Sequence, residues 1–110
     1  MKLELKENMY YRTYSGSINK ITSIKDYNER EYLLNGFYIN KDTIKKASYN
    51  IIDILEVGDY VNGHRVEEIN FEDEEIFTDS EYYCGIVEFC NIKSVITREQ
   101  MEQMAYKVGD

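Results

Sequence analysis

The stretch Val57-Gly58-Asp59-Tyr60-Val61-Asn62-Gly63-His64-Arg65-Val66, VGDYVNGHRV, decides the fold of this chain. Two alternating runs flank an Asn-Gly dipeptide, the pattern of a hairpin closed by a two-residue type I′ turn. The reading places strands at Leu55–Val61 and His64–Asn70. His64 is the only histidine in the chain. Nucleophilic catalysis would need a nucleophile and an orienting acid around it, and nothing nearby in the sequence supplies them. Gly58 and Gly63 are accounted for by turn geometry and need no ligand.

Working outward, the same logic recurs. Met9–Tyr14 and Ser17–Ile24 read as strands around the Ser15-Gly16 turn. Tyr32–Leu34 and Phe37–Ile39 flank Asn35-Gly36, a second type I′ signal. Lys41–Asp53 has no clear period and is expected to be irregular, with short helical turns capped by Asp42 and by Ser48 or Asn50. Downstream, a strand is expected to begin at Ile76, and Tyr82–Cys90 and Lys93–Ile96 read as further strands. Thr97-Arg98-Glu99-Gln100 fits a capping box, which predicts a short helix over Arg98–Met104 and a final extended piece at Ala105–Val108. Six to eight short strands with one C-terminal helix imply a mainly β domain. A small curled antiparallel sheet or an SH3-like barrel would accommodate them. The 110 residues, 43% of them hydrophobic, are read as a single domain, 1–110, able to bury its own core.

Cys84 and Cys90 lie six residues apart in one apolar run. On a continuous strand that is roughly 20 Å, too far for a disulfide. They are expected to be reduced core residues, which points to a reducing cytosol. A zinc site would need a second Cys or His pair, so neither a metal nor another cofactor is expected. The N-terminus shows no signal peptide and no transmembrane run, and no membrane partner is expected.

Charge is the strongest functional signal. The net charge is −8, and it is unevenly spread. Residues 1–50 carry nine bases against six acids, whereas residues 51–92 carry twelve acids against one base. Between Val66 and Ile92 there are nine acids and no base. Such a chain is a poor direct ligand for nucleic acid or anionic membrane, and a basic protein surface is its natural complement. The acidic run also fails as a calcium loop, because Phe77 stands where the required glycine belongs. Carboxylate pairs are so frequent here that they do not indicate a glycosidase.

Two readings of the acids remain: a solvated loop, or a docking surface whose carboxylate rows imitate phosphates. The second assigns partner binding to Glu67, Glu68, Glu72, Asp73, Glu74, Glu75, Asp79 and Glu81, with Phe71, Phe77, Tyr82 and Tyr83 as apolar anchors. Glu88 shares strand parity with the two cysteines and has no obvious role. Base stacking on the N-terminal tyrosines would need bases beside them, for which Arg12, Lys20, Lys25, Lys41, Lys45 and Lys46 are the candidates.

Tyr10–Thr13, the core NIIDILEVGDYVNG at Asn50–Gly63, and the tail Ser94–Val108 resemble a group of small phage and prophage proteins of low-GC Gram-positive bacteria, of clostridial type. The match covers about a third of the chain and omits Glu67–Glu88, the acidic segment. The group brings no activity with it, so no site residues transfer. The resemblance implies a small, non-catalytic phage protein, a class that includes inhibitors of host restriction and CRISPR systems. The expected function is therefore a non-enzymatic, cytoplasmic inhibitor that binds a nucleic-acid-binding effector through its acidic surface. A virion assembly factor or homo-oligomeric accessory protein, and a small enzyme or ligand-binding barrel, are the alternatives.

Overall fold

The structure is a computed structural model that describes residues 4–81 and 85–104. It is mainly β: 42% of the described residues are strand, in three antiparallel sheets, with one seven-residue helix at the C-terminal end. Among the described residues the sheets do not close into a barrel, and the strands are divided among three sheets where one curled sheet or an SH3-like barrel was expected. No described helix is long and apolar enough to cross a membrane. The chain divides into two compact units, Met1–Ile54 and Leu55–Asp110.

The first unit contains strands β1 (Tyr10–Thr13), β2 (Ile18–Lys20), β3 (Ile24–Asp26), β4 (Glu31–Leu34), β5 (Phe37–Asn40) and β6 (Ile44–Ser48). They form two three-stranded sheets, ordered β2-β1-β6 and β3-β4-β5. Leu5, Tyr11, Ile21, Tyr32, Leu34 and Ile44 make the core. Period-two alternation explains the faces: Tyr32 and Leu34 point inward while Leu33 is only partly covered. Arg12 is fully buried, and its Nη1 donates to the carbonyl of Ile54 at 3.1 Å. It is therefore an internal brace and is unavailable to any nucleic-acid surface. Lys41 lies 2.6 Å from Asp26 and over the ring of Tyr32, so it too has local partners.

β6 replaces the irregular segment expected at Lys41–Asp53. It supplies the outer partner of β1, with Tyr11 opposite Ala47. Single-turn 3-10 helices at Lys41–Thr43 and Ile51–Ile54 flank it. Asn40, rather than Asp42, caps the first, accepting from the Asp42 N–H at 2.8 Å. Ser48 and Asn50 cap the second in series, accepting from the N–H groups of Asn50 and Ile52.

The second unit holds β7 (Tyr60–Val61), β8 (His64–Asn70), β9 (Glu75–Thr78), β10 (Ile86–Glu88), β11 (Val95–Ile96) and helix α1 (Arg98–Met104). The sheet order is β10-β9-β8-β7-β11. Val61, Val66 and Ile76 are fully buried beneath it. The Asn62-Gly63 turn has φ values of 52° and 86°, as a type I′ turn requires. The capping box forms as expected: Thr97 N–H donates to Gln100 Oε1, and Gln100 N–H to Thr97 Oγ1.

Four expected strands are markedly shorter: Ser17–Ile24 is strand only at Ile18–Lys20 before β3 starts at Ile24, Lys93–Ile96 only at Val95–Ile96, and two more have a clear local cause. Leu55–Val61 is extended only at Tyr60–Val61, because the buried Asp59 carboxylate accepts from the Glu56 N–H at 2.7 Å and folds residues 56–59 into a turn. The strand read at Tyr82–Cys90 ends at Glu88 and passes into a 3-10 turn over Phe89–Asn91. Cys90 consequently sits exposed on that turn as a free thiol, not in the core. Tyr82, Tyr83, Cys84 and Ala105–Val108 lie outside the described residues.

Candidate acidic docking surface

The surface is built by the hairpin β8–β9 and by β10 at its side. Register fixes which side chains share a face. Across β8 and β9, Glu68 stands opposite Phe77 and Asn70 opposite Glu75. Across β9 and β10, Phe77 stands opposite Ile86 and Glu75 opposite Glu88. Ile76 and Thr78 point to the buried side, so the other face carries Glu68, Glu75 and Glu88 around Phe77 and Ile86. Residues directly opposite on antiparallel strands have Cβ atoms about 4.5–5.5 Å apart, and like charges there are destabilising. The register thus sets two like-charged side chains, Glu75 and Glu88, opposite each other on this face. No base occurs between Val66 and Ile92 to offset them within this segment.

The hairpin tip, residues 71–74, continues the acidic surface. Asn70 shapes it through its side chain, which accepts from the Asp73 N–H at 3.1 Å and donates to Asp73 Oδ2 at 3.0 Å. Glu74 takes a left-handed backbone, φ 52°, which turns the chain into β9. Glu72, Asp73 and Glu74 are exposed, and Phe71 stands among them with 54% of its surface open. An open depression of about 460 Å³ lies beside the tip, lined by Asp73, Glu74, Glu75, Glu88, Phe89 and Cys90. Cys90 Sγ is 3.8 Å from Glu88 Oε2.

The residues assigned from sequence are thus separated into groups. Glu68, Phe71, Glu72, Asp73, Glu74, Glu75 and Phe77 belong to one hairpin. Asp79 lies at its opposite end, about 13 Å along β9 from the tip by strand rise. Its Oδ1 accepts from the Arg65 N–H at 2.9 Å and lies 3.7 Å from His64 Nδ1, so its geometry serves the hairpin base. Glu67 sits at the β8 irregularity and pairs with Arg65 at 3.5 Å. Glu81 is exposed beyond β9. Glu88, to which strand parity alone assigns no role, is placed on the acidic face by its register opposite Glu75.

His64 is exposed at the start of β8, opposite Val61. The opening stretch owes more to Asp59, whose role sequence reading missed. Asp59 Oδ1 accepts from the Arg98 N–H at 3.0 Å and so secures the first turn of α1 to the hairpin. Arg98 in turn reaches Glu56 at 2.6 Å and the Val57 carbonyl at 3.1 Å. Among the described residues, no group of three or more His, Cys, Asp or Glu side chains is arranged to hold a metal ion. Comparison with known proteins adds no relative: no family model matches the chain, and no curated protein or solved structure is significantly similar.

Proposed function

We propose that this chain is a non-enzymatic, phage- or prophage-encoded module that binds a basic host protein surface through the acidic hairpin of its second unit. The most specific form of the reading is an inhibitor of a nucleic-acid-binding defence complex, of anti-CRISPR or anti-restriction type, acting in the host cytoplasm. The observation that supports it is the Glu75–Glu88 register pair on a face shared with Glu68 and continuous in sequence with Glu72–Glu74. A basic groove would relieve that like-charge opposition, and the exposed Phe71 and half-buried Phe77 would give the contact an apolar centre.

The test replaces Glu72, Asp73, Glu74 and Glu75 together by Gln, Asn, Gln and Gln, which preserves size and polarity. Folding stability should change by less than ~0.5 kcal/mol per exposed site. Affinity for a target captured from host lysate should fall steeply, and the remaining binding should depend less on salt. An oligonucleotide should compete with the wild-type protein for that target. Equal affinities, a flat salt dependence and no competition would sink the reading and leave the run as a solvated hairpin.

A further inference from the structure

Among the described residues, β10 is the outermost strand on one side of the second unit's sheet. The bond from the Phe89 N–H to the Glu74 carbonyl, 3.0 Å, sets the phase of the β9–β10 ladder. Antiparallel pairs alternate between hydrogen-bonded and non-hydrogen-bonded positions. Val87, opposite Ile76, therefore turns its main-chain groups toward β9, while Ile86 and Glu88 turn theirs outward. Among the described residues no strand pairs with that outward side. Their side chains, Ile86 and Glu88, lie on the same face as Phe77 and Glu75. The depression lined by Glu75, Glu88 and Phe89 adjoins the Glu88 end.

We infer that β10 receives an extended, basic segment of the partner as an added strand. This rests on the acidic-surface reading above and specifies its mode. Main-chain bonds would run to Ile86 and Glu88, and side chains two residues apart would meet those residues in turn. For a segment running parallel to β10, the fitting motif is an apolar residue opposite Ile86, any residue, then Lys or Arg opposite Glu88. The apolar side chain packs on Ile86 and Phe77. The cation reaches Glu88 and Glu75 with its aliphatic stem against Phe89. Charge selects this occupant over a second copy of the chain, because pairing two β10 edges would place one Glu75–Glu88 row beside another.

Glu88 offers a way to separate charge from backbone. Its φ is −75° and ψ is 150°, values that proline adopts without strain. Glu88→Gln removes the charge and keeps the outward N–H, whereas Glu88→Pro removes both. The probe is the capped peptide TVTRTRTG, followed by fluorescence anisotropy. Its controls are a version N-methylated at the amides facing β10 and a scrambled isomer with adjacent arginines. Wild-type protein should bind the parent peptide and slow the hydrogen exchange of the Ile86 and Glu88 amides. Glu88→Pro should bind about fivefold or more weakly than Glu88→Gln, the scale of one lost net hydrogen bond. N-methylation should have at least that effect on wild-type protein, which keeps the test intact if Glu88→Pro does not fold. Equal binding of parent and methylated peptides, with the fourfold acid replacement still weakening both, would overturn strand addition and spare the acidic surface. Equal binding of the scrambled isomer would overturn the motif. No binding of any peptide would overturn strand addition, while the acidic-surface reading stands or falls on the fourfold acid replacement against the captured target. Self-association that Glu88→Pro abolishes would show that the occupant is a second copy.

Discussion

Two corners of this molecule use the same device in opposite chain order. In the first unit, β4 ends in Asn35-Gly36. The Asn35 Oδ1 accepts from the Thr22 and Ser23 N–H groups, its Nδ2 donates to the Lys20 carbonyl, and its own N–H bonds the Ser23 carbonyl. In the second unit, β7 ends in Asn62-Gly63. The Asn62 Oδ1 accepts from the Lys93 and Ser94 N–H groups, its Nδ2 donates to the Asn91 carbonyl, and its own N–H bonds the Ser94 carbonyl. Each clamp grips the residues four, two and one before a strand that pairs with the Asn-bearing strand: β3 in one unit, β11 in the other. The clamped segments, Lys20–Ser23 and Asn91–Ser94, share only Ile and Ser in register. An asparagine amide reads backbone groups and is indifferent to most of what they carry, which is why the same clamp works on both.

The corners differ in what lies three residues earlier. Tyr32 occupies that position in the first unit, buried in the core beneath Lys41. Asp59 occupies it in the second, holding the N–H groups of Glu56 and Arg98. One corner is braced by packing and the other by hydrogen bonds to a carboxylate. The clamps also close different lengths of chain, 12–15 residues at Asn35 and 29–32 at Asn62. Doubling a loop adds only ~0.6 kcal/mol of closure entropy, so the longer clamp remains serviceable.

Breaking the braces should have the largest effect. Tyr32→Ala should destabilise by about 3–4 kcal/mol through lost aromatic burial. Asp59→Ala should lose about 2–3 kcal/mol as two N–H groups lose their charged acceptor. Urea denaturation gives both numbers. Hydrogen exchange at the α1 amides should accelerate in the Asp59 variant, and unchanged exchange there would separate Asp59 from the helix. Removing the clamps should come next. Asn35→Ala and Asn62→Ala should each lose about 2 kcal/mol, from four side-chain bonds at Asn35 (one of them from Thr22 Oγ1) and three at Asn62, and from an alanine forced into the left-handed region. A cost confined to one site would end the equivalence of the corners.

Smaller and matched effects are expected at the glycines. A Cβ at Gly36 or Gly63 would meet no atom within 4 Å, and the φ values are 85° and 86°. Gly36→Val and Gly63→Val should therefore cost the same, about 1–2 kcal/mol from backbone strain alone. Unequal midpoint shifts in urea would reveal an additional contact at one turn. Smallest of all, His64→Ala should shift stability by less than ~0.5 kcal/mol, because the ring is exposed and its neighbour Asp79 keeps a backbone donor.

What was legible in the sequence was local. The β8 strand His64–Asn70, both Asn-Gly turns and the Thr97–Gln100 box rest on short-range patterns, and they formed where those patterns placed them. What was not legible depended on residues distant in sequence. β6 carries the weak pattern Ile-Lys-Lys-Ala-Ser and is a strand because β1 offers it an edge. Residues 89–91 leave the extended form where Phe89 bonds Glu74 and Asn62 takes the Asn91 carbonyl. The acidic segment was legible as composition, but the grouping of its side chains was not. Strand parity within Tyr82–Cys90 aligned Glu88 with the cysteines. Only the cross-strand register revealed that it faces Glu75 while Asp79 serves the hairpin base.

The clamps also bear on the chemical lifetime of the molecule. In an Asn-Gly pair the unhindered glycine nitrogen can attack the asparagine side-chain carbonyl carbon. The attack expels ammonia, and water then opens the ring to aspartate or isoaspartate. Asparagine is among the residues that limit thermal endurance for this reason. At Asn35 and Asn62 the amide must first release three bonds to neighbouring main chain before it can swing into position. The geometry that fixes each corner thus also delays its ageing. Once ageing occurs, it is self-revealing: a carboxylate at position 62 no longer donates to the Asn91 carbonyl, and the start of β11 is the first place to loosen.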